Sequence, residues 1–169
     1  MINSADTLID LDSKGGTGTL VETYFPWADE PVAAKLKPVR ANPLPRGTET
    51  LLVVEDEPAV KLLACRVLKA QGYEVLSASN GQDALHVAHE HHGTPISLVV
   101  TDVIMPLMGG KVMALWLKTI DPKVKVLFTS GYTDEVVARQ GVPSTGSEFL
   151  PKPYTPAVLV RRVREILGS

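Results

Sequence analysis

ISLVVTDVIMPLMGG, Ile96 to Gly110, is the stretch on which the fold turns. Ile96 to Thr101 is a short, nearly unbroken apolar run, the pattern of a strand buried on both faces of a sheet. It stops at an acid, Asp102, and a stretch with helical character, Lys111 to Ile120, follows.

The same alternation continues on both sides. Upstream, TLLVV (Thr50 to Val54) is a second apolar run. Val60, Leu63, Ala64, Val67 and Leu68 then recur at helical spacing, and Gly72 ends the helix. EVLSA (Glu74 to Ala78) predicts a strand. Asn80 is placed to cap a helix running to about His91, with Asp83 three residues on in the manner of a capping box. Downstream come a strand KVLFTS (Lys125 to Ser130), a short helix around Asp134 to Gln140, and a brief strand EFL (Glu148 to Leu150). Thr155 caps a last helix with Pro156 at its first position and Leu159, Val163, Ile166 and Leu167 as its apolar stripe. Five βα units in succession predict an α/β fold, a parallel sheet covered on both faces. Ligands of such sheets bind beyond the carboxyl ends of the strands, where the winding reverses.

The residues at those ends are polar although the strands are not. Glu55, Asp56 and Glu57 follow the first strand and Asp102 the third. Thr129, Ser130 and Gly131 close the fourth, and Lys152-Pro153 follows the fifth. Any one of these exits reads plainly as a cap or turn, but the set points to a joint site. Asp56 and Asp102 converge if the first and third strands are neighbours, with Glu55 alongside. Clustered carboxylates raise one another's pKa unless a cation sits among them. Only oxygen ligands are on offer, which calls for a hard ion, and a few carboxylates with retained waters suit Mg²⁺ better than Ca²⁺. Lys152 and Ser130 arrive from the other side, able to bind phosphoryl oxygens. A carboxylate nucleophile, a divalent ion, a lysine and a hydroxyl are the parts that make and hold an aspartyl phosphate.

Composition bounds the alternatives. The chain has 169 residues, suiting one domain with an appendage better than two full domains. A net charge of −2 gives no electrostatic footprint for nucleic acid. One cysteine, Cys65, cannot form an internal disulfide, so a reducing, cytoplasmic compartment is expected. No run approaches the ~18 apolar residues of a membrane helix, and the start lacks a signal-peptide pattern, so no membrane contact is expected. Pro26, Pro31, Pro38, Pro43 and Pro45 crowd one stretch, predicting a linker over residues 27–48 and a main domain over 49–169.

LLVVEDEP, VVTDVIMPLMGG, VLFTSGYTDE and FLPKPYTP resemble the four signature segments of a two-component receiver domain, in order, over about residues 49 to 168. The resemblance implies a flavodoxin-like doubly wound (βα)5 fold with strand order 2-1-3-4-5. It implies Asp102 as the acceptor of a phosphoryl group from a phosphohistidine donor, and a Mg²⁺ site of Asp56, Glu55 (through water), Asp102 and the backbone carbonyl of Ile104. Ser130 is then the switch hydroxyl, Gly131 a phosphate-contacting backbone amide, Lys152 the phosphate-pairing lysine, Lys152-Pro153 a cis peptide and Phe149 the aromatic switch residue. Phosphorylation would redraw the surface of helix four, strand five and helix five, which could also carry a homodimer. Such a chain catalyses its own phosphorylation and dephosphorylation but is not otherwise an enzyme.

Glu55 stands where many receivers have Asp, which leaves metal binding intact. Ile104 is apolar where fast-hydrolysing receivers are polar, so a long-lived phosphate is expected. A phosphatase of the haloacid-dehalogenase type would want an acid in the place of Ile104. A flavin phosphate would meet Glu55 and Asp56, which is unfavourable. A module acting by protein contact alone, without phosphorylation, is the remaining alternative. The chain ends soon after the last helix, so no output domain is expected.

DSKGGTGTLVETYFP (Asp12 to Pro26) resembles the closing segment of a histidine-kinase ATPase domain. That implies a remnant over residues 1–26 and a hybrid sensor histidine kinase as parent. Its GGTGTL lacks a phosphate-loop lysine and follows no clear strand in the sequence, so a nucleotide loop is not expected. His86, His89, His91 and His92 read as a solvated helix end rather than a metal site. Arg161, Arg162 and Arg164 read as a solvated face, Trp116 and Met113 as packing or partial surface, and Cys65 as a small buried filler.

Overall fold

The computed structural model describes residues 8–14, 16, 18–24, 43–131 and 148–168. They fall into two compact units, Met1–Arg40 and Ala41–Ser169.

In the first unit, β1 (Leu8–Lys14) and β2 (Gly18–Tyr24) form an antiparallel hairpin. Leu11 pairs with Val21 and Ile9 with Thr23, while Asp10 pairs with Glu22 on the opposite face. GGTGTL thus does follow a strand, which corrects the sequence expectation. Asp10, Asp12 and Lys14 alternate with Ile9 and Leu11, and the resulting one polar face disguises the strand. Most of the predicted linker and the whole of the predicted helix Asp134 to Gln140 lie outside the described residues.

The second unit is a five-stranded sheet with β3 (Thr50–Val54) second from one edge. Its other strands are β4 (Glu74–Ala78), β5 (Ile96–Asp102), β6 (Lys125–Ser130) and β7 (Phe149–Pro151). The order is β4-β3-β5-β6-β7 with every pairing parallel. Counted from β3 this is 2-1-3-4-5, so the winding reverses between β3 and β5. Helices α1 (Pro58–Ala70), α2 (Gly81–Glu90) and α3 (Gly110–Ile120) and a C-terminal helix (Pro156–Leu167) cover the two faces.

The unbroken apolar strands have a direct structural cause. Leu51 and Val53 pack with Ala64 and Leu68 of α1 and Leu159 and Val163 of the C-terminal helix. Leu52 and Val54 turn the other way, onto Ala84 of α2 and Met113 and Leu117 of α3. Both faces of β3 are therefore core, and each fully buried leucine contributes about 1.5–3 kcal/mol.

Local chemistry sets the helix ends. Asn80 Oδ1 accepts the Asp83 N–H at 3.0 Å, and its Nδ2 donates to Asp83 Oδ2 at 2.9 Å. Thr155 Oγ1 accepts from Val158 N–H. Gly72, at φ 96°, makes the left-handed turn after α1. The last strand runs one residue later than predicted, because Pro151, which has no N–H to give, is tolerated on the edge strand β7. Residues before Glu49 also belong to this unit: Leu44 packs on the core and the Gly47 N–H donates to Gln71 O at 3.1 Å. Glu49 Oε1 itself accepts from Arg164 at 2.8 Å. On α3, Met113 is fully buried whereas Trp116 is 58% exposed.

Candidate functional site

The parallel register delivers the polar residues to one end of the sheet. Asp102 is opposite Thr129 across the β5–β6 pair, and Ser130 is opposite Pro151 across β6–β7. Glu55 leaves β3, which pairs with β5. Glu55, Asp102 and Ser130 are buried, Lys152 is half-buried and Asp56 is exposed at the mouth.

Carboxylate oxygens of Glu55, Asp56 and Asp102 lie within 4.8 Å of one another. The Lys152 ammonium bridges two of these acids, 2.6 Å from Glu55 Oε2 and 2.7 Å from Asp102 Oδ2. The other Asp102 oxygen, Oδ1, accepts the Ile104 N–H at 3.2 Å. Burial pushes the Glu55 carboxyl above its ordinary range; the Lys152 bond and charge oppose this, and the nearby Asp102 charge adds to it. For Lys152, burial is the largest single influence and acts downward. Its bonds to Asp102 and Glu55 together outweigh that, so the ammonium is held above its ordinary value.

One ammonium cannot balance three converging carboxylates. The surplus negative charge and an all-oxygen donor set fit a hard divalent cation, with Asp56 open to water at the entrance. Among the described residues this is the one cluster of acid, histidine or cysteine groups with metal-binding geometry. The histidines at the end of α2 do not form another, and His91 Nε2 instead lies 2.9 Å from Thr94 O.

The raised Glu55 pKa has a testable sign. The folded state holds the Glu55 proton more tightly than the unfolded state, so this group's contribution to stability is present below its unfolded pKa. It is lost as pH rises through the folded pKa. In chelator, Glu55→Gln is therefore expected to gain in melting temperature relative to the wild type as pH is raised from 4 to 7. A constant difference across that range would contradict the assignment.

Backbone contacts hold the loop after β5 against the site. Val103 N–H donates to Thr129 O at 3.0 Å, and Gly110 N–H to Val103 O at 3.1 Å. Thr101 Oγ1 donates to Asp102 O at 2.9 Å. Gly110 escaped the sequence reading. A Cβ there would run into the Asp102 carbonyl oxygen and come within 2.6 Å of Thr101 Oγ1, both fixed in the β5 backbone region. The only signal for it was the Gly-Gly pair before α3. Gly110→Ala is expected to cost about 1–3 kcal/mol, read as a lower denaturant midpoint. An unchanged midpoint would show that the loop yields freely.

The remaining predicted residues surround this centre. The Lys152–Pro153 peptide is cis, and Lys152 N–H donates to Ser130 O at 2.8 Å. Gly131 follows Ser130 at the exposed end of β6. Phe149 is buried with Val103, Ala114, Val126 and Phe128, and Ile104 packs against that group. Away from the site, Cys65 is half-buried, with burial pushing its thiol up. Arg164 is paired with Glu49 and Arg162 with Glu165.

A doubly wound sheet with an acid pocket and a bridging lysine at its carboxyl end defines a class of phosphoryl-handling signalling domain. The response regulator receiver domain family matches residues 51–164, and the chain belongs to that family. It is thus a receiver domain of two-component signalling. Along 99% of its length it is 36% identical to the sensor kinase CckA of Brucella abortus, of which it spans 18%. Over 69% of its length it is 29% identical to the transcriptional regulatory protein AruR of Pseudomonas aeruginosa, spanning 48% of that protein.

Among solved structures it is similar to the receiver domain of the hybrid histidine kinase CckA, at 40% identity and TM-score 0.58, covering 70% of this chain and 99% of that one. A response regulator receiver protein from Sinorhizobium medicae gives 30% identity and TM-score 0.61, covering 71% and 94%. No helix among the described residues is long and apolar enough to cross a membrane.

Proposed function

We propose that Asp102 accepts a phosphoryl group from a phosphohistidine and that the domain works as a phosphorylation-driven switch. The observation that carries this is the Lys152 ammonium held between Glu55 and Asp102 at 2.6 and 2.7 Å, within a cluster that retains surplus negative charge. An Asp102 oxygen forms the new P–O bond as the P–N bond breaks. The bonding pair leaves with the imidazole, which departs as the neutral ring if its other nitrogen carries a proton. Bound by Glu55, Asp56, Asp102 and the Ile104 carbonyl, Mg²⁺ would offset charge on the phosphoryl oxygens.

The chain's own groups do the rest. Lys152 is already bonded to Asp102, so its ammonium can pass to a phosphoryl oxygen with little displacement. The Ser130 hydroxyl and the Gly131 N–H donate to the other oxygens. Drawing Ser130 inward frees space for Phe149 and redraws the surface made by β7 and the C-terminal helix, where a second copy of the domain could also dock; the predicted fourth helix lies outside the described residues. The apolar Ile104 side chain orients no attacking water, which favours a long-lived phosphate. The haloacid-dehalogenase alternative has nothing in its favour here, since Ile104 stands where its second acid would be.

We further propose the domain plan of a hybrid sensor kinase: residues 1–26 as the tail of an ATPase domain, 27–48 as a linker and 49–169 as the receiver. Its histidine donor is made with ATP, which sets the reaction in the cytoplasm. Similarity to a sensor kinase along nearly the whole chain supports this plan, as does the β1–β2 hairpin. Incubation with phosphoramidate and Mg²⁺ tests the core of the proposal. One phosphoryl group per chain, lost in chelator, is expected, and ion-independent labelling would overturn it.

A further inference from the structure

Helix α3 carries more apolar surface than the sheet beneath it needs. Met113, Ala114 and Leu117 face inward and are buried, as an amphipathic helix requires. Val112, Leu115, Trp116 and Ile120, at i, i+3, i+4 and i+8, form a second stripe that is 49–75% exposed. Four large side chains, one an indole, make a patch on the scale of the largest that a typical monomer carries, about 300–600 Å², and such patches mark interaction sites. Toward α2 the stripe runs into a hollow of about 190 Å³ floored by Ala88, Ile96, Leu117, Ile120 and Val124.

The charges bordering this apolar strip are segregated by sign. Helix α3 has only Lys111 and Lys118, on its flank away from α2. Apart from its histidines, α2 has only Asp83 and Glu90, exposed on its outward face. Each pair is seven residues apart, a rise of about 10.5 Å. Both helices return from parallel strands and so run in the same direction. Gly81 abuts Met113, where an added Cβ would come within 2.9 Å of the Met113 Cβ. The acids therefore lie within about one turn of the levels of the lysines, inside the reach of a lysine stem. Among the described residues Lys111, Lys118 and Glu90 have no ion-pair partner.

We propose that α2 and α3 together form a docking face for a second copy of this domain, with Trp116 as its apolar anchor. A two-fold axis along the groove between the helices exchanges α2 with α3. It lays Lys111 and Lys118 of one copy over Asp83 and Glu90 of the other, and sets Trp116 and Ile120 of each copy into the other's groove. An unrelated partner would have to reproduce an acid pair at this spacing beside an apolar strip, whereas a second copy already has both. A net charge of −2 leaves little general repulsion between copies. The strip is smaller than the ~800 Å² per partner of a standard interface, so the contact is weak and reversible. It lies on the sheet face opposite the C-terminal helix and does not depend on phosphorylation of Asp102.

Analytical ultracentrifugation of the full, unphosphorylated chain tests this. The wild type is expected to show a monomer–dimer equilibrium at concentrations up to roughly 1 mM. Trp116→Ser should raise the dissociation constant at least about tenfold, the scale on which loss of an aromatic anchor is felt. Lys118→Glu and Glu90→Lys should each raise it about three- to tenfold at low salt, since a two-fold dimer makes the contact twice. Mixing these two charge variants should restore association, because each supplies the charge that the other lacks. All three positions are exposed, so melting temperatures should match that of the wild type. A wild type that stays monomeric to roughly 1 mM would overturn the proposal and leave the strip to a different protein. Dimerisation untouched by Trp116→Ser would place the contact on another face and overturn it equally. So would charge variants that fail to recover on mixing.

Discussion

Asp102→Asn is expected to lower phosphoryl incorporation from phosphoramidate by at least ~100-fold, the scale on which loss of a covalent nucleophile is felt. Asparagine has nearly the same shape but no anionic oxygen to attack phosphorus. The fold should survive, because Lys152 keeps its 2.6 Å contact with Glu55 and the asparagine oxygen can still accept from Ile104 N–H. Circular dichroism of the variant should therefore match that of the wild type. Labelling within a few-fold of the wild type would mean that another group takes the phosphoryl.

Asp56→Ala carries the second large effect and isolates the ion. Asp56 is exposed, so its removal leaves no cavity and costs the core nothing. The cluster loses its most accessible carboxylate, while Glu55 and Asp102 remain bonded to Lys152. Mg²⁺ affinity by calorimetry and labelling at an ion concentration saturating for the wild type should both fall, the labelling by about 100-fold. The deficit should shrink as Mg²⁺ is raised, because divalent sites are tuned by the number of charged ligands. Undiminished labelling of this variant would contradict the metal role of Asp56.

The contrast between these residues shows what a sequence can disclose. Strands β3, β5 and β6 are so uniformly apolar that an acid or hydroxyl at their ends stands out, which made Glu55, Asp102 and Ser130 visible. Parallel pairing then follows from the βα alternation, and with it their convergence. Lys152 was visible as a cation near the site, but its bridge to Glu55 depends on the position of β7 relative to β3, which no local pattern encodes. Gly110 was hidden for a related reason, since its role is set by how closely α3 approaches the Asp102 carbonyl. Strand β1 was missed because Asp10 and Asp12 gave it a polar face.

The central claim is that the phosphoryl group is carried by the Asp102 carboxylate. Borohydride reduces an acyl phosphate to the alcohol, turning a phosphorylated aspartate into homoserine, which peptide mass spectrometry can locate. After labelling with phosphoramidate and Mg²⁺, homoserine is predicted at Asp102 and nowhere else. Homoserine at Asp56, the corresponding alcohol at Glu55, or a stable label untouched by borohydride would contradict the account.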